Sequence, residues 1–163
     1  MTKRQILGRC LLGAVLLAAA ACGPQIDLTT ALQFESMTTG WTDAGVERGA
    51  NKIVPAVSFR VKNASDHTFA PVQVNAVFRR VGDPNEWSNA MITAAGSSGL
   101  PPSASTAQLV IKGQLGYTGT DPQWDMLHNS QFVDAKVDLF VRHGSQQWTR
   151  VGAYQIARQI VER

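Results

Sequence analysis

Apolar and polar positions alternate along most of this chain in short runs separated by turn-forming residues. Val57, Phe59 and Val61 alternate with Ser58, Arg60 and Lys62, the period of two expected of a strand with one buried and one wet face. Val72, Val74, Ala76 and Phe78 repeat the pattern against Gln73, Asn75, Val77 and Arg79. The cleanest run places Val133, Ala135, Val137, Leu139 and Val141 between Asp134, Lys136, Asp138, Phe140 and Arg142. Weaker strands are predicted at Ile26 to Phe34, Trp87 to Ala94 and Ala107 to Ile111. Asn63-Ala64-Ser65-Asp66, Gly82-Asp83-Pro84-Asn85 and the loop from Gly96 to Ser103 supply the breaks.

The turn His143-Gly144-Ser145-Gln146 makes a hairpin of the last clear strand and the segment from Gln147 to Ile160. Its register has two solutions. A two-residue turn sets Trp148 opposite Val141 on the core face but puts Arg150 opposite Leu139. A bulged three-residue turn, the reading preferred here, pairs Val151 with Leu139 and leaves Trp148 beside Arg142, because a one-residue slip inverts every side chain.

Residues 35 to 52 carry Gly40, Gly45 and Gly49 with little periodicity and read as a loop or poorly formed hairpin around Trp41. Asp121-Pro122 reads as a helix start, Asp as N-cap and Pro at the first helical position, with Trp124, Met126 and Leu127 on the apolar side. About seven short strands with one short helix near residues 122–128 predict an all-β fold, an antiparallel sandwich of immunoglobulin-like type.

The first 21 residues differ from the rest. Lys3, Arg4 and Arg9 precede an apolar stretch of about a dozen residues, shorter than the roughly 20 that a spanning helix needs. Ala19-Ala20-Ala21-Cys22 resembles a bacterial lipobox, in which the signal is removed before a diacylated cysteine. The alternative is an ordinary secretory signal cut after one of the alanines. Cys10 lies inside the removed segment, so a soluble product would carry one unpaired thiol in an oxidising compartment. The chain is therefore read as signal peptide 1–21, lipidated tether 22–25 and a single domain 26–163. Two or three acyl chains give stable anchoring where one is marginal. Among lipoproteins an Asp directly after the cysteine favours inner-membrane retention. Gly23 stands there, so the outer membrane facing the periplasm is the expected address in a Gram-negative envelope.

From Cys22 onward the chain has 12 Lys and Arg against 12 Asp and Glu. Its basic balance thus belongs to the signal segment, and a nucleic-acid partner is not expected. His67, His128 and His143 fall in or beside predicted loops, without metal-ligand spacing. No serine lies in a G-x-S-x-G context, and Asp121 with Asp125 is a weak carboxylate pair. Gly113, Gly116 and Gly119 recur around Tyr117, but no helix or Lys-Ser/Thr follows to make a phosphate cradle, so a β-loop is preferred. No catalytic residue, metal ligand or cofactor is assigned, and the chain is read as a non-enzyme. Trp41, Trp87, Tyr117 and Trp124 lie in or beside predicted loops and are the candidate binding residues, with plugging of the sandwich ends as their structural alternative.

Val57 to Ser65, Val72 to Phe78 and Leu100-Pro101-Pro102-Ser103-Ala104-Ser105 together form a strand, Asn-turn, strand and proline-loop pattern. Over about residues 53–112 this resembles the FxLYD-like and LEA14-like domains of bacterial surface lipoproteins. The resemblance implies an immunoglobulin-like sandwich and a family mostly without assigned activity. The expected function is a membrane-anchored, non-enzymatic binding or structural module acting on another envelope protein; the alternative is a carbohydrate or peptidoglycan-binding module using the tryptophans.

Overall fold

In the computed structural model, which describes residues 26–161, the alternating runs pair into two antiparallel sheets packed face to face. The expected signal peptide 1–21, Cys22 and the expected tether 22–25 lie outside the described residues. One sheet has the order β1 (Leu32–Glu47), β2 (Ala50–Asn63), β5 (Leu109–Lys112), with the three-residue β6 (Tyr117–Gly119) also on β2. The other has the order β4 (Ser88–Ala95), β3 (Val72–Arg80), β7 (Ala135–His143), β8 (Thr149–Gln155). The chain changes sheet after β2, β4 and β6, the connectivity of an immunoglobulin-like sandwich. Eight strands stand where about seven were expected; β6 is the shortest of them.

Both inner faces are the sets of alternate residues read from the sequence, except that β7 begins at Ala135 and leaves Val133, expected on its inner face, outside the strand and exposed. Val57, Phe59 and Val61 of β2 and Val74, Phe78 and Leu139 of the facing sheet have no solvent exposure. Burying each such side chain contributes about 1.5–3 kcal/mol.

Three local expectations are corrected. The segment expected as a first strand opens with a helical turn, α1 (Leu28–Ala31), because the Asp27 carboxylate accepts the Thr29 N–H at 2.9 Å and Leu28 and Ala31 then bury one face. The stretch 35–52 forms a hairpin, the second of its two expected readings, and no loop: β1 runs on to Glu47, and Arg48 and Gly49, both at positive φ (52° and 83°), turn it directly into β2. Irregularities between Glu35 and Thr38 and between Asp43 and Val46 shift the phase of β1 twice, which erases its period of two. The helix α2 (Gln123–His128) forms where it was expected, but Pro122 is its N-cap and no side chain caps it. Asp121 instead accepts a bond from the Asn51 carboxamide through its main-chain oxygen.

The last hairpin follows the three-residue register next to its turn, with Val141 opposite Thr149 and Phe140 opposite Arg150, and departs from both readings beyond it. Trp148 lies beside Arg142, as the three-residue turn requires, but Leu139 pairs with Gly152 because the register shifts by one residue between Leu139 and Phe140. Beyond β8 the chain crosses to the free edge of β1. Trp41 donates its N–H to the Gln159 carbonyl and accepts from Val161, both at 2.8 Å, in a parallel bridge that covers an otherwise unpaired edge.

The sandwich has two distinct ends. α1, the β2–β3 turn, the proline loop and the β7–β8 turn gather at the end where the described chain begins. There the buried Asn63 carboxamide donates to the His67 and Leu100 carbonyls, at 2.6 and 2.8 Å, tying the Asn-turn to the proline loop. The β1–β2 turn, the β3–β4 loop, β6 and α2 form the distal end. Replacing Asn63 with Ala leaves both carbonyls without this donor and is expected to lower stability by about 2–3 kcal/mol in urea unfolding.

Candidate functional site

The distal end is built around an aromatic group held by four different segments. Trp41 comes from mid-β1, Trp87 precedes β4, Tyr117 opens β6 and Phe132 lies between α2 and β7. The Trp41 ring meets Phe132 edge-on at 4.9 Å and lies 5.6 Å from Tyr117 and 6.3 Å from Trp87. Tyr117 closes the set at 5.1 Å from Trp87 and 4.9 Å from Phe132. Such tilted and edge-to-face contacts add about 0.5–1.5 kcal/mol each beyond area burial.

Close backbone approach places Tyr117. A Cβ on Gly116 would stand 1.9 Å from the Ile53 carbonyl oxygen, so only glycine lets the chain cross β2 there. This accounts for one of the three spaced glycines without a phosphate site. The Tyr117 hydroxyl donates to the Val133 carbonyl at 3.0 Å, and burial pushes its pKa above the ordinary phenol value.

Arg158, in the C-terminal tail, fixes the other wall. Its guanidinium forms a two-pronged ion pair with Asp134 at 2.6 and 3.2 Å, donates to the Leu127 and Phe132 carbonyls, and stacks 5.0 Å over the Phe132 ring. The hydrogen bond to Asp134 raises its pKa further. A cavity of about 200 Å³ opens beside these rings, floored by Tyr117, Phe132 and Met126 and rimmed by Asp121, Asn129 and Gln131.

Three of the four sequence candidates, Trp41, Trp87 and Tyr117, thus come together, and Trp124 does not join them. Trp41 is corrected from loop to core: it lies in β1 with no exposure, so no ligand reaches its face. Its indole N–H is buried without a hydrogen-bond partner among the described residues. Trp124 is 57% exposed and stacks on His128 of its own helix at 4.4 Å. Phe132 and Arg158 were missed. Phe132 sits in an irregular segment and Arg158 beyond the last strand, where no periodicity marks them.

The histidines stay apart. His67 lies in the β2–β3 turn, His128 ends α2 and His143 ends β7, where its ring edge packs on Phe69. Among the described residues no three His, Cys, Asp or Glu side chains form a metal-holding group. Asp121 and Asp125 are both exposed.

Exposed apolar side chains mark the same end. Of the seven large ones exposed among the described residues, Val46, Val81, Leu115, Trp124 and Val133 all belong to distal segments. Met91 and Val110 lie on the outer sheet faces.

No family model matches the chain, and no curated protein matches it. Among solved structures it is similar to the X-ray structure of Northeast Structural Genomics Consortium target SoR45, at 10% identity and a TM-score of 0.45, over 80% of this chain and 89% of that one.

Core and surface tryptophans are expected to separate in unfolding experiments. Trp41→Ala should lower stability by about 3–5 kcal/mol, whereas Trp124→Ala should change it by less than about 0.5 kcal/mol. Tyr117 gives a pH signature. Its pKa is raised on folding, so its contribution is complete below the unfolded value and is lost as pH rises through the folded one. Stability should therefore fall as alkaline pH passes the ordinary phenol range, and Tyr117→Phe should reduce that fall in pH-dependent unfolding.

Proposed function

We propose that this chain is a lipid-anchored, non-enzymatic envelope module that binds another envelope protein through the distal end of its sandwich. The observation that carries the reading is the concentration of exposed apolar side chains at the end remote from the tether. Large exposed apolar groups gathered in one region mark interaction surfaces. Trp124 has the amphipathic bulk favoured at binding hot spots. α1, where the described chain begins, lies at the opposite end beside Thr149. A domain attached four residues before Ile26 has its attachment within roughly 15 Å of Ile26. The binding end then stands about 30 Å further off, the length of nine-residue β3.

The packed ring set gives this end the rigidity that recognition needs, because the loops carrying Trp87, Phe132 and α2 are braced against one core residue. A glycan-binding reading keeps a narrower basis, the cavity floored by Tyr117 and Phe132, since Trp41 is out of reach.

A photo-crosslinker at Trp124, introduced in cells, should trap one envelope protein in the lipidated chain. Leu115→Ser with Val133→Ser should lower the yield at least several-fold without loss of stability. Equal capture from a site on β5, or adducts containing only cell-wall glycan, would reject a protein partner in favour of a bystander or glycan. Cys22→Ser should abolish acyl labelling and membrane retention at high salt; persistence of both would remove the anchor.

A further inference from the structure

The outer face of the β4-β3-β7-β8 sheet differs in charge from the rest of the domain. Register places Arg79, Lys136, Arg142 and Arg150 on it together with a single carboxylate, Asp138. Asp138 lies between two of the arginines, ion-paired to Arg79 and to Arg150 at 2.5 Å. Four cations against one carboxylate leave three positive charges, in a chain that is balanced at 12 and 12 from Cys22 onward. The opposite outer face also carries four cations, Lys52, Arg60, Lys62 and Lys112, but with two carboxylates among them, Glu47 paired to Lys52 and Glu35 to Lys62, while Arg60 donates to the neutral Gln108. Carboxylates gather at the distal end, at Asp83, Glu86, Asp121, Asp125 and Asp134.

Apolar groups stand among these cations. Phe140 and the 52%-exposed Met91 occupy the middle of the face, and the Arg142 guanidinium stacks 4.6 Å from the Trp148 ring at its tether-side edge. Gln73 holds that guanidinium in place, accepting from its Nε at 2.6 Å. Thr149, next to Trp148, lines a hollow with Ile26, Asp27 and Leu28, so the Trp–Arg pair adjoins the point where the tether enters the domain.

We propose that this sheet face is a seat for an anionic lipid surface. The inference rests on the reading of Cys22 as the anchor, which leaves only residues 23–25 between the bilayer and Ile26. Lys136 and Arg142 meet headgroup phosphates, and the amphipathic Trp148 ring sits at the headgroup level that tryptophan favours. The sandwich then lies along the membrane, with its distal end displaced sideways from the tether.

The test uses the full chain purified from membranes, carrying an environment-sensitive fluorophore at Thr93→Cys on this face or at Val110→Cys on the opposite one. It is reconstituted into vesicles of phosphatidylcholine with or without phosphatidylglycerol. The Thr93 label should shift to the blue only on the anionic vesicles and return at high salt, while the Val110 label stays unchanged. Lys136→Gln with Arg142→Gln should abolish the shift and weaken binding to anionic vesicles at least about tenfold. A Thr93 label indifferent to phosphatidylglycerol, or a shift retained in the double variant, overturns the proposal. A shift that appears only when envelope proteins are added also overturns it, and assigns the face to an acidic protein. Failure of the anchor reads out separately: a chain without acyl label that still binds anionic vesicles through Lys136 and Arg142 retains the seat and loses the tether.

Discussion

Trp41 joins parts of the chain that no single sheet connects. Its ring lies under residues from β6, from the approach to β4 and from the approach to β7, while its main chain receives the C-terminal tail in a parallel bridge. Side chain and backbone at one position therefore tie the first sheet, the second sheet and the tail to one another. The Arg158 clamp on Asp134 and Phe132 is available only because the tail has been drawn to this edge. The indole N–H has no hydrogen-bond partner among the described residues, a cost of about 1–3 kcal/mol that the surrounding aromatic packing offsets.

Legibility in the sequence followed the regularity of the strands. β2, β3 and β7 alternate without interruption where they pair with each other and with the core, and their inner residues were readable one by one. β1 was unreadable for the converse reason. Ser36 at positive φ and the Gly45 irregularity move its side chains from one face to the other, and in the regular stretch between them Gly40, Trp41 and Thr42 are buried in succession, Gly40 with Val161 and Gln159 against it, so no alternation survives. The same irregularity makes a core tryptophan resemble a loop tryptophan. At the distal end the sequence supplied aromatic identities but not their assembly, since Phe132 and Arg158 act through tertiary contacts that leave no periodic trace. Cys22 is the reverse case, where the reading comes wholly from the sequence and lies outside the described residues.

Division of labour follows from how the two sheets use their outer faces. The inner faces are equivalent in their apolar character, as a sandwich core requires. The outer faces are not: one sets two carboxylates among its four cations, the other gathers four around a single carboxylate, and the apolar excess goes to the distal end. Net neutrality thus conceals a separation of charge and of hydrophobicity over the surface, and a mean over composition averages it away.

The pairing of the tail with β1 also sets an order of events. The Gln159 carboxamide reaches the Thr39 carbonyl across 120 positions of sequence, and the Gly40 position is narrow because Val161 lies against it. Among the described strands β1 is the earliest to be synthesised, yet its outer edge and its tryptophan are completed by residues made after all the others. The domain consequently cannot close step by step as it is made: β1 has to wait with an open edge until residues 159–161 are free to join it. Such a chain has high contact order imposed at a single point, and loss of those few residues would reopen the first strand rather than merely shorten the last.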